Sequence, residues 1–174
     1  KPIITRVIEP AKRSLAYDLA AKELTAGRQC YVVCPNIDPI TNAIQLDFDQ
    51  DARAVTKRFE ALIKDARFKP FRLGLLHGRL KATEKQQIMD QFMANKIQLL
   101  VATSLIEVGI DVPNATVLVI EGADHFGLAQ LHQLRGRVGR GEKQSLCVAI
   151  ADDWSPIAKQ RLTAFESSTN GFEL

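Results

Sequence analysis

Two arginines and a glutamine recur at helical spacing in Gln130-Leu-His-Gln-Leu-Arg-Gly-Arg-Val-Gly-Arg-Gly141. Gln133, Arg137 and Arg140 stand at i, i+4 and i+7, so a helix would project them together. Leu128, Leu131, Leu134 and Val138 recur on the side roughly opposite and would anchor it in a core. The spacing therefore predicts one amphipathic helix carrying two exposed guanidinium groups. Arginine suits a phosphate because its planar fork donates bidentately and never loses its charge. Gly136 and Gly139 fall inside that helix, where each costs about 1 kcal/mol relative to Ala. Close approach of another group to the backbone would explain them. The pattern points to polyphosphate binding. A solvated basic face with a glycine-rich C-cap is the alternative reading of the same residues.

Three further places carry groups suited to a phosphate or a ribose. In His77-Gly78-Arg79 a glycine beside a cation lets a phosphate reach the backbone, whereas His77 by itself reads as a solvated loop residue. Thr103 and Ser104 bring hydroxyls and N–H groups to a helix N-terminus, with Ser104-Leu-Ile-Glu107 forming a capping box. Gly109 closes that short helix, and Asp111 accepts from a ribose, orients an arginine, or serves as a turn residue before Pro113-Asn114.

These places are positioned by strands alternating with helices. Residues 3–8 read as a strand, then a helix starts at Pro10 with Leu15, Leu19, Ala20 and Leu24 on one face, ending near Gly27. Cys30-Tyr-Val-Val-Cys34 is an apolar run typical of a strand covered on both faces, and Pro35 ends it. A long loop over 36–50 leads to a helix with Val55, Phe59, Leu62 and Ile63. Further strands are expected at 71–76, 98–103, 116–121 and 144–150. A helix with Ile88, Met89, Phe92 and Met93 intervenes, and a last one, about 155–166, carries Ile157, Ala158, Arg161, Leu162 and Phe165. The alternation predicts an α/β fold: three layers, a parallel sheet flanked by helices, with ligands at the strand ends.

Composition narrows the function classes. The chain has 174 residues, 46% hydrophobic but only 6% aromatic, as in an ordinary α/β domain. A net charge of +3 is too small to argue for nucleic acid, so the placement of charge must decide. No apolar run reaches the roughly 18 residues of a membrane span. Cys30, Cys34 and Cys147 lie in apolar runs and read as buried thiols, without a metal site and with a cytoplasmic compartment as the default. The chain begins at Lys1 and ends at Gly171-Phe-Glu-Leu174, which suggests a piece of a longer protein. Residues 1–154 are expected to form the main domain and 155–174 a C-terminal helix and truncated segment, loosely packed from about Ser167.

Cys30-Tyr-Val-Val-Cys-Pro35, Leu76-His-Gly-Arg79, Val101-Ala-Thr-Ser-Leu-Ile-Glu-Val-Gly-Ile-Asp111 and Gln130 to Gly141 resemble successive motifs of the second RecA-like motor domain of superfamily-two helicases. That resemblance implies a RecA-like, P-loop NTPase-type lobe. Arg137 and Arg140 would reach the γ-phosphate of ATP, bound with Mg2+ on the N-terminal RecA-like lobe of the same chain, and Gln133 would help position that site. Gly109, Asp111 and Gly136 would line the nucleotide cleft. Gly78, Arg79, Thr103 and Ser104 would track the DNA backbone. The run from His125 to Gly141 and the tail Thr169-Asn-Gly-Phe172 further resemble ATP-dependent DNA helicases that remodel branched DNA and stalled replication forks in recombination and repair. Transcription-repair coupling factors carry a similar run, and a non-catalytic nucleic-acid-binding module is the alternative from another class.

Other readings fail on particular residues. No G-x-x-x-x-G-K-[ST] occurs, so the chain holds half of an ATPase site, and the fragment alone is expected to be inactive. A dinucleotide fold would open a helix with its glycines, whereas Gly136, Gly139 and Gly141 end one. Asp47, Asp49 and Asp51 start like a calcium loop, but Ala52 replaces its glycine and Arg58 its bidentate glutamate.

Overall fold

The apolar runs become strands of one sheet. A computed structural model describes residues 3–35, 48–103 and 111–168. Among these the strands are β1 (Ile4–Ile8), β2 (Gln29–Val33), β3 (Leu73–Leu76), β4 (Leu99–Ala102), β5 (Ala115–Ile120) and β6 (Leu146–Ile150). They pair in the order β1-β6-β5-β2-β4-β3, every neighbour parallel. The helices are α1 (Arg13–Thr25), α2 (Phe48–Lys64), α3 (Ala82–Met93), α4 (Leu128–Arg135) and α5 (Pro156–Ser167). Residues 36–47 of the long predicted loop lie outside the described residues, and its last three belong to α2. None of these helices is long and apolar enough to cross a membrane.

Side chains alternate between the two faces of a strand, and the register stacks like with like. Cys30, Val32, Leu99, Val101, Val117, Val119, Val148 and Ile150 pack with residues of α1 and α2, including Ala16, Tyr17, Ala20, Leu24, Val55 and Leu62. Tyr31, Val33, Leu100, Ala102, Leu118, Ile120, Cys147 and Ala149 pack with α3, α4 and α5, including Met89, Phe92, Leu131, Leu134, Leu162 and Phe165. Both faces are covered, which is why the strands are continuously apolar. The three cysteines are buried and free, and burial pushes the Cys147 thiol up to about 12.

Helix faces differ from the sequence reading in detail. α1 buries Ala16, Tyr17, Ala20 and Leu24, while Leu15 and Leu19 are 56% and 41% exposed. The small side chains of Ala16 and Ala20 suit a close approach to the sheet, and Tyr17 reaches a buried carboxylate. Ile63, Met93 and Ile157 are also exposed, because each apolar set is wider than the stripe its helix buries. At the C-terminus α5 continues to Ser167, and Ser168 is buried. The tail from Thr169 lies outside the described residues.

That buried carboxylate is Glu121, 5% exposed directly after β5. Arg13 donates to it through Nε at 2.9 Å and Nη2 at 3.0 Å, and the Tyr17 hydroxyl donates at 2.8 Å. Arg58 Nη2 stands 3.7 Å away. One acid thereby ties α1 and α2 to the end of a central strand. Burial and then the Glu121 charge push the Tyr17 hydroxyl well above its ordinary range. Burial disfavours the Arg13 charge, but the bonds to Glu121 more than offset it. Removing one partner of a buried ion pair leaves the others desolvated and unpaired. Glu121→Ala is therefore expected to lower stability by about 3 kcal/mol, read from the urea unfolding midpoint. An unchanged midpoint would mean that solvent already satisfies Arg13 and Tyr17.

Candidate functional site

In a parallel sheet all strands end at one edge and begin at the other, so a strand-end residue and a strand-start residue face different solvent. The chain from β5 to β6 returns through α4 to the amino-terminal edge, and the arginine stretch lies there. α4 stops at Arg135, shorter than the spacing predicts. Gly136 caps it with its N–H on the His132 carbonyl at 3.0 Å, and Gly139 turns the chain at φ +81°. A Cβ on Gly139 would lie 2.9 Å from Ile3 Cγ1, and one on Gly141 would lie 2.7 Å from the Pro113 carbonyl oxygen. Gly136 and Gly139 are thus not inside a helix. Gly139 and Gly141 are required by the segment's own packing, without any ligand.

The arginines of this stretch have different fates. Arg135 is only 4% exposed. Its Nη1 donates to the carbonyls of Phe165 at 2.9 Å and Ser168 at 2.7 Å, and to Thr5 Oγ1 at 3.2 Å. Its guanidinium carbon sits 4.6 Å over the Phe165 ring. A cation at the last carbonyls of α5 also complements that helix's dipole. Arg137 is half-buried rather than fully exposed. Arg140 is exposed; its Nε donates to the Gly136 carbonyl at 2.9 Å and lies 3.6 Å from Asp111 Oδ1. Gln133 is exposed on α4. Tyr31, buried on β2 with its ring 5.1 Å from that of Phe92, feels this cluster. Burial raises its hydroxyl above the ordinary range, Arg137 lowers it and Asp111 raises it. Asp111, Arg137 and Arg140 therefore form one charged group at the amino edge, with the Gly136 carbonyl bonded to Arg140.

The opposite edge holds the second set. Gly78 and Arg79 are exposed in the turn after β3, and the Thr103 N–H donates to the Leu76 carbonyl at 3.3 Å. That bond sets Thr103, half-buried after β4, beside the His77 turn. Ser104 and Gly109 lie outside the described residues. Asp111 does not join this edge as the strand-end reading expects. It precedes β5, at the edge where the parallel strands begin, whereas Thr103 follows β4 at the edge where they end. With strands of four to six residues, the two sets are separated by about 13–20 Å at ~3.3 Å per residue.

Arg135 and Tyr31 escaped the sequence reading. For Arg135 a signal existed: it stands four residues after Leu131, on the stripe that α4 buries. Tyr31 carries no such mark, since any residue of that apolar strand was expected to be buried.

The helicase conserved C-terminal domain matches residues 11–142. The chain belongs to that family. This helicase domain is 44% identical over 172 residues to the ATP-dependent DNA helicase RecG of Synechocystis, covering 99% of the chain and 20% of that relative. It is 47% identical over 153 residues to RecG of Bacillus subtilis, covering 88% of the chain and 21% of the relative. Among solved structures it is similar to RecG bound to a three-way DNA junction, with a TM-score of 0.79 and 36% identity over 99% of this chain and 21% of that one. The C-terminal domain of the DEAD-box protein Dbp5 shares the fold, with a TM-score of 0.55 and 16% identity over 95% of this chain and 83% of that one. The helicase domain thus spans 20% and 21% of the two curated relatives named.

Arg135 and Arg140 should separate in a stability measurement. Arg135→Ala strips two buried carbonyls of their donor and is expected to cost about 2–3 kcal/mol. Arg140→Ala should change stability by under about 0.5 kcal/mol. Thermal melts of the two variants side by side check this, and equal losses would contradict the division of roles.

Proposed function

We propose that this domain is the second motor lobe of an ATP-dependent DNA helicase that remodels branched DNA and stalled replication forks in recombination and repair, in the cytoplasm. One observation carries the reading: Arg140 meets Asp111 beside Arg137 at the amino edge, away from the His77–Thr103 edge. Two chemically separate surfaces on one sheet suit a motor that must touch a nucleotide and a DNA backbone at once. The RecG structure bound to a three-way junction supports branched DNA as the substrate.

At the amino edge, Arg137 and Arg140 offer permanent positive charge, the donor set that a polyphosphate requires. Arg140 is already folded toward Asp111, and exchanging that exposed carboxylate for a phosphate oxygen costs little. The two arginines stabilise charge that develops on the γ-phosphate of ATP held by the N-terminal RecA-like lobe of the same chain. Gln133 helps position that site, while Gly109, Asp111 and Gly136 line the cleft. The Mg2+ that accompanies ATP is assigned to the first lobe, because this chain has no Walker-type lysine loop. At the carboxyl edge Gly78, Arg79 and Thr103 contact phosphates, and Ser104 is assigned to the same role. None of them is suited to reading base edges, so binding is independent of sequence. Residues 1–154 are assigned to the motor lobe and 155–174 to the helix and start of a segment that couples hydrolysis to translocation.

In the full-length protein, Arg137→Ala or Arg140→Ala is expected to cut DNA-stimulated ATP hydrolysis by about 10³-fold or more. For Arg140→Ala the melting temperature should stay near that of the unaltered protein. Retained turnover in both variants would sink the reading. The isolated domain, lacking the phosphate-binding loop, should not hydrolyse ATP or bind it tighter than about millimolar. Its DNA affinity should be weak and fall steeply with salt. Measured turnover by the domain alone, or salt-insensitive binding, would contradict the division of labour between lobes.

A further inference from the structure

His77 opens the turn after β3 and takes no part in the contacts proposed above. Its Nδ1 accepts the Arg79 backbone N–H at 3.2 Å, and its carbonyl accepts the Leu80 N–H at 3.3 Å. A ring nitrogen that accepts a hydrogen bond carries no hydrogen, so the neutral imidazole keeps its hydrogen on Nε2. The turn thereby fixes one tautomer of a half-buried ring and restrains its orientation. The N–H lies at the far end of the ring from the Arg79 amide. Thr103 is tied to the same turn, its N–H bonded to the carbonyl of Leu76, the residue before His77.

We propose that His77 is a further DNA-backbone contact, donating its Nε2–H to a phosphate oxygen of the strand that Arg79 and Thr103 touch. This rests on the DNA reading of the carboxyl edge. The surroundings of the ring suit the role. Burial, then the charges of Arg79 in the turn and Lys85 on α3, hold the imidazole below its ordinary range, while Glu84 on α3 acts the other way. Free of DNA and near pH 7, His77 is therefore an uncharged donor among cations. A phosphate replaces part of that repulsion with attraction, so the DNA-bound ring takes up a proton more readily than the free one. The complex then holds more protons than its separated parts, and lowering the pH favours it.

The test uses the full-length protein and a fluorescein-labelled three-way DNA junction at fixed ionic strength, titrated between pH 8 and pH 6. Affinity of the unaltered protein should rise as the pH falls, by up to about tenfold for a one-unit rise in the ring's pKa on binding. His77→Gln keeps an N–H donor at a similar reach but cannot titrate, so it should bind nearly as well at pH 8 and lose the His-dependent part of the rise. His77→Ala should bind about tenfold more weakly at pH 8. The same pH slope in His77→Gln as in the unaltered protein, or full affinity in His77→Ala, would overturn the proposal. If His77→Ala fails to fold by circular dichroism, the slope of His77→Gln decides alone. Arg79→Ala and Thr103→Ala separate the two levels of the argument. Should these bind weakly while the His77 variants bind normally, only the His77 contact is lost. Should all of them bind normally, the carboxyl edge is not a DNA surface.

Discussion

A parallel strand can be reached only by a chain that crosses back over one face of the sheet, and that constraint organises this molecule. The six described strands run in one direction, so their carboxyl ends lie at one edge and their amino ends at the other. The crossing helices bury both faces, which supplies most of the apolar stabilisation. Their loops are thereby left with the polar work at two separate rims. One rim gathers Asp111, Gly136, Arg137 and Arg140, and the other gathers His77, Gly78, Arg79 and Thr103. Two separate polar rims follow from topology before any side chain is considered.

The arginine stretch shows how packing separates residues of one type. Arg135, Arg137 and Arg140 stand within six positions, yet their environments run from buried to exposed. Arg135 falls on the last turn of α4, against the Phe165 ring and the carbonyls that end α5. Its charge is compensated by those carbonyl dipoles, so it holds structure together. Arg140 lies past the turn at Gly139, where Asp111 and the Gly136 carbonyl meet it. An exposed pair of that kind contributes little stability, which leaves the guanidinium available for a stronger anion.

The buried charges away from these rims have a different logic. Glu121 is desolvated, and only the forked bonds from Arg13, the Tyr17 hydroxyl and the nearby Arg58 make that tolerable. In exchange, two helices of one layer are fixed to the end of β5. That is one end of the β5–α4–β6 connection carrying the arginine stretch, and the Arg135 contacts to α5 and β1 hold its other part. The arginine stretch is thereby braced at both of its flanks.

Much of this was legible in the amino-acid order. Apolar runs of four to six residues bounded by Pro, Gly and polar turns are strands because both faces must be covered, and the alternation with helices then implies a parallel sheet. The residue types at the rims were legible too, since Arg, Gly, Asp and Thr at loop positions are chemically distinctive. Three things were decided only by tertiary structure. The helix carrying the arginines stops at Arg135, because Gly139 and Gly141 must pack against Ile3 and Pro113, residues remote in sequence. Arg135 is a structural cation rather than a ligand, because α5 and β1 close over it. Asp111 pairs with Arg140 at the amino edge rather than joining Thr103 at the other, because Asp111 precedes one parallel strand and Thr103 follows another. Local periodicity carries information about faces of helices and strands, but not about which distant segment will meet them. That meeting gives otherwise similar arginines, and similar loop residues, their separate environments.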